Sequence, residues 1–118
     1  MKYVDGFVLP IAEDRIDDYR EIAAQAGEIW KEHGALEYIE CVGDDLESDE
    51  LVPFPKMAGC HEGETVVFAW IVYRSREHRD EVNRKVMEDP RIQAMGPKDM
   101  PFDCGRMAWG GFSVLVDK

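Results

Sequence analysis

The sequence predicts an α+β domain built on one antiparallel four-stranded sheet, and three observations carry that expectation. The first is the run from Thr65 to Tyr73, which is β-branched and aromatic, contains no Gly or Pro, and reads as a strand. The second is an amphipathic helical pattern from Ile16 to His33. The third is the order of elements: strand, helix, strand, strand, helix, strand. A chain of 118 residues suits one domain spanning positions 1–118, and 45% hydrophobic residues supply its core.

Taken in order, Tyr3 to Leu9 (YVDGFVL) reads as the first strand, with Pro10 as its expected stop. Neither of its faces is polar throughout, which suits a central position. Gly6 in mid-strand predicts a bulge or the close approach of a bulky group. Asp14 is the expected cap of the first helix, on which Ile16, Tyr19, Ile22, Ala23, Ala26, Ile29, Trp30 and His33 recur on one side. Gly34 is its natural stop. Ala35 to Val42 alternates and carries charges, as an edge strand does.

Gly43 to Gly63 reads as a long acidic loop with two prolines. After the central run, Ser75 is the expected cap of a second helix reaching about Glu88, with Val82, Val86 and Met87 facing inward. Asp89-Pro90 ends or kinks it. Gly96 to Gly105 is loop, and Arg106 to Val116 is the last strand, broken locally by Gly110-Gly111.

The commonest packing of this order is the ferredoxin-like βαββαβ sheet, spatial order 4-1-3-2, with both helices on one face. On the Thr65–Tyr73 strand, Val66, Phe68, Trp70 and Val72 share one side, and Val67, Ala69, Ile71 and Tyr73 share the other. Helices cover one side. The other is apolar too, and the expected cover is a second copy of the chain across a two-fold axis, giving a homodimer through the sheet face.

Several stretches together resemble one family. They are Tyr3–Phe7, Phe68–Tyr73 with Arg79-Asp80, Val86–Arg91, and Pro101–Asp103 with Arg106-Met107 and Gly110–Phe112. These resemble the YbaA-like bacterial family of unknown function, and the likeness spans nearly the whole chain. The resemblance implies a dimeric α+β barrel. That superfamily includes cofactor-independent monooxygenases, haem-degrading enzymes, small isomerases and stress proteins. It supplies no reaction, because one fold hosts many chemistries.

The formal net charge of −11 repels phosphate backbones and anionic lipid, so neither nucleic acid nor a membrane surface is an expected partner. Three cysteines, none in a CxxC pair, suit a reducing compartment. No apolar stretch reaches membrane-spanning length and no signal peptide is read, so a cytoplasmic protein is expected.

The topology sorts the polar residues to two ends of the sheet. One end groups Asp5, His33, Tyr73 and Arg74. A carboxylate in a central strand needs a partner or a raised pKa. Asp5 with His33 would form a candidate general-base pair, whereas Arg74 or Tyr73 would hold Asp5 structurally. The other end groups Cys60, His61, Cys104 and Arg106. Their spacing matches no zinc pattern, so no metal is expected. Arg106 would meet an anionic substrate or pair with Asp103.

Trp70, Phe68 and Trp109 are candidate pocket walls, with Arg106, Tyr73 and Arg74 as further candidate ligand contacts. The chain has no phosphate loop, no GxSxG and no HExxH, and no cofactor is expected. Two functions follow as expectations. One is a homodimeric module binding a small apolar metabolite. The other is a cofactor-independent, monooxygenase- or isomerase-like enzyme acting on an aromatic or quinone-like substrate.

Overall fold

The computed structural model describes residues 1–118. The chain runs β1 (Tyr3–Ala12), α1 (Ile16–Glu32), β2 (Glu37–Val42), α2 (Phe54–Ala58), β3 (Glu64–Tyr73), α3 (Arg76–Glu88), α4 (Pro90–Gln93) and β4 (Ala108–Ser113), with single 3-10 turns between. The four strands form one antiparallel sheet in the order β2-β3-β1-β4, which is the expected 4-1-3-2 read from the opposite edge.

Both central strands bury their helix-facing sides. Ile71 and Tyr73 of β3 pack with Ile29 of α1 and with Val82 and Val86 of α3. Leu9 and Ile11 of β1 pack with Val67, closed over by Ile16, Tyr19 and Phe102. Val82 and Val86 are 1% and 0% exposed, and each such side chain contributes about 1.5–3 kcal/mol through burial. Met87, expected to point inward, is 54% exposed. It follows Val86 directly, and a helix turns neighbouring residues to different faces.

The opposite face of the sheet carries no long helix. Val4, Gly6, Val8, Phe68, Trp70, Gly110 and Phe112 share a shallow apolar hollow there. The long acidic segment is not all loop, because it contains α2. Phe54 of α2 meets Phe68 edge to face at 5.9 Å, and α2 packs against both β1 and β3. Gly59 ends α2 at φ 71°, a left-handed position suited to glycine.

Three other boundaries depart from the sequence reading. Pro10 does not stop β1, which pairs with β3 as far as Ala12. β4 pairs with β1 only as far as Val8, so Pro10 lies where one side of the strand is unpaired. Asp14 does not cap α1; it lies in a 3-10 turn, and Arg15 stands at the cap without a side-chain bond. Gly110 and Gly111 do not break β4, but pair in register with Gly6 and Asp5.

The glycines serve close approach instead. A Cβ on Gly6 would stand 3.3 Å from the Phe112 ring, so the bulky neighbour expected there is Phe112. Ser75 caps α3 as expected, accepting from the His78 N–H at 3.1 Å. Gly34 follows α1 at φ 116°.

Candidate functional site

The alternation of β2 decides what faces α1. Tyr38 and Glu40 lie two residues apart, hence on one side, and both meet Tyr19 of α1 there. The Tyr19 hydroxyl donates to Glu40 Oε1 at 2.6 Å, and the Tyr38 hydroxyl donates to Glu40 Oε2 at 2.7 Å. Burial, then the Glu40 charge, pushes both phenols far above the ordinary tyrosine range.

This trio stands between two spaces. Outside lies a groove of about 630 Å³ between α1 and the edge strand β2. Inside lies a half-open cavity of about 250 Å³ between α1 and the sheet, flanked by side chains from Ile92 to Met107. Of 17 residues lining the inner cavity, 16 are apolar or aromatic, and Glu40 is the exception. Trp30 stands over Tyr38 with ring centroids 6.1 Å apart, and Phe102 meets Tyr19 edge to face at 5.7 Å. Met95, Met100 and Met107 supply much of that flanking wall.

The residues expected to carry chemistry sit elsewhere. Asp5 is 1% exposed, and its partner is Arg79, whose Nη1 donates at 2.7 Å. Burial raises the Asp5 pKa; the Arg79 charge and hydrogen bonds from Asn83, Tyr73 and Arg79 pull it back. His33 does not meet Asp5. Its Nε2 lies 2.8 Å from Asp89 Oδ2, in a cluster where Arg91 binds both Asp89 and Glu32. Tyr73 is fully buried, and its hydroxyl oxygen lies 3.3 Å from Asn83 Oδ1, which accepts from Trp30 Nε1.

Of the candidate ligand contacts, Trp70 borders the inner cavity. Phe68 and Trp70 lie together on the open face, ring centroids 5.6 Å apart. Trp109 is 56% exposed, with the Arg79 guanidinium 5.8 Å from its ring. Arg74 is exposed, and its backbone N–H donates to His78 Nδ1. Arg106 pairs with Glu64 rather than Asp103, whose carboxylate accepts from the Gly105 N–H. The Cys60 thiol faces the Thr65 carbonyl and His61 faces Glu64. No three His, Cys, Asp or Glu side chains are placed to hold a metal ion together.

The family model described as "Protein of unknown function (DUF1428)" matches residues 2–104. The chain belongs to the DUF1428 family. The uncharacterized protein YbaA of Escherichia coli is 46% identical to this DUF1428 chain over 118 residues, covering 100% of each. YbaA of Shigella flexneri gives the same figures. The likeness read from Tyr3–Phe7 and Phe68–Tyr73 is thus a family relationship. Among solved structures, an uncharacterized NIPSNAP domain protein from Burkholderia xenovorans matches with a TM-score of 0.58 at 15% identity, covering 97% of this chain and 95% of that one. That match speaks to the fold alone. No helix is long and apolar enough to cross a membrane.

One ion pair of this DUF1428 protein reports on acid stability. Arg106 grips Glu64 through both terminal nitrogens at 2.9 and 2.8 Å, and the His61 N–H donates to the same carboxylate at 2.6 Å. Arg106 first, then His61, lowers the Glu64 pKa to about 2. A carboxylate with a lowered folded pKa stabilises the fold above its unfolded value, and that stabilisation is lost as pH falls towards the folded one. The melting temperature should therefore fall as the pH drops from 4.5 to about 2. Glu64→Gln should start lower and fall less steeply in thermal denaturation scans. Parallel curves for the two proteins would contradict this account.

Proposed function

We propose that the protein is a homodimeric cytoplasmic module that binds a small apolar metabolite in the cavity beneath α1. The observation that carries the reading is the cavity itself, an apolar space with one placed polar group at its wall. Ligand sites have that composition. Its modest volume suits a molecule with a single ring. The dimer reading draws on the open sheet face, where Ile39, Phe68 and Phe112 are 37%, 42% and 60% exposed. A contiguous apolar patch of this kind marks an interaction surface, and a second copy matches it by symmetry. The three thiols are unpaired, which suits a reducing compartment.

The alternative, a cofactor-independent enzyme acting on an aromatic or quinone-like substrate, draws less support. Asp5 is held in an ion pair with Arg79 and His33 is hydrogen-bonded to Asp89, and neither lines the cavity as a free base. The test is a thermal-shift series with single-ring aromatic compounds. A ligand at a hundred times its Kd adds about 2.7 kcal/mol, which raises the melting temperature by several degrees. Ala26→Trp, which fills the cavity from α1, should abolish the shift. If no aromatic compound shifts the melting temperature, the cavity reading fails.

A further inference from the structure

Glu40 is a carboxylate with no cation. Its two oxygens accept from the Tyr19 and Tyr38 hydroxyls, and it enters none of the ion pairs of the chain. The two basic residues along the outer groove are engaged elsewhere. Arg20 pairs with Asp17, and Lys31 donates to the Leu36 carbonyl at 2.7 Å. An ionised carboxylate has about four lone-pair sites. Two phenols fill half of them, so Glu40 keeps capacity for a further donor where it borders the cavity.

We propose that the cavity takes an apolar organic cation, a primary amine carried on one aromatic ring, with its ammonium group on Glu40. This rests on the cavity being a ligand site, as proposed above. The ring occupies the space between α1 and the sheet. The ammonium meets a carboxylate whose only side-chain partners are two phenols, and charge-assisted hydrogen bonds are about twice as strong as neutral ones. Tyr19, Tyr38, Trp30 and Phe102 make the lining near Glu40 aromatic, and aromatic rings attract cations. The net charge of −11 draws cations towards the protein. A quinone or a carboxylate fits less well, because its oxygens would face the Glu40 oxygens with no donor between them.

The test is calorimetric titration of the whole protein with three probes of similar size: phenethylamine, phenethyl alcohol and acetophenone. Phenethylamine should bind at least about tenfold tighter than acetophenone. Glu40→Gln should erase that preference while leaving acetophenone binding within about threefold. Equal affinities, or a preference that survives in Glu40→Gln, would overturn the proposal. Where Glu40→Gln fails to fold, the wild-type comparison decides, together with salt: raised ionic strength should weaken the amine alone. Binding of the two neutral probes without the amine rejects the cation and leaves the cavity reading standing. Binding of none of the three rejects both.

Discussion

Asp5→Ala is expected to remove about 3–5 kcal/mol of folding stability, read by urea denaturation. The reason is what it leaves behind. Arg79 is 8% exposed and was positioned by three neighbours: Asp5 at 2.7 Å, Asp80 at 2.8 Å and the Tyr3 ring at 4.9 Å. Without Asp5, a guanidinium remains buried against a central strand with only the exposed Asp80 carboxylate to answer it. Breaking one side of a buried pair costs far more than removing both. Asp5→Leu combined with Arg79→Met should therefore recover most of the loss. A single-mutant cost below about 1 kcal/mol would mean that water reaches Arg79 and that the pair is not the anchor inferred here.

On the proposed dimer, Phe112→Asp is expected to leave a monomer while sparing the fold. Phe112 is 60% exposed, so the lone subunit gains little from its ring. Against a second sheet the same residue would sit beside Phe68, Trp70 and Val8 in the shared hollow. A carboxylate placed there would be desolvated on association without a partner. A central interface residue of this kind is worth at least about 2 kcal/mol, roughly thirtyfold in Kd. Sedimentation equilibrium should show the shift at micromolar concentration, with an unchanged unfolding curve in the monomer range. A wild-type protein that sediments as a monomer would defeat the dimer reading outright.

The sheet was legible because its signal is local. Alternation along Thr65–Tyr73 separates two faces in any register, and the structure buries Val67, Ala69, Ile71 and Tyr73 while leaving Phe68 open. Ser75 and Gly34 were legible for the same reason: a cap and a left-handed stop are written in one or two residues. What failed was partner choice. Asp5 and His33 lie at the same end of the sheet, yet Arg79 reaches Asp5 and Asp89 reaches His33. End-sorting by topology resolves which residues are near, not which side chain points at which.

Pro10 failed because a strand tolerates proline where its neighbour has ended, and that depends on β4 stopping at Val8. Glu40 was overlooked although a signal existed. It stands on the same side of β2 as Leu36, Tyr38 and Val42, an acid in an apolar row. Charge within a short strand also marks an edge, which β2 is. The second meaning needed Tyr19 from α1, 21 residues away, to become visible.

If the cavity holds a ligand as proposed, the sulfur atoms on the segment beside it would limit selectivity. Thioether side chains are unbranched, polarisable and easily reshaped. With Met95, Met100 and Met107 opposite α1, one side of the chamber is deformable while the Tyr19–Glu40–Tyr38 side stays pinned by two short bonds. On the proposed ligand reading, outline would be graded loosely and the polar end strictly, so the cavity would accept a chemical series and not one compound.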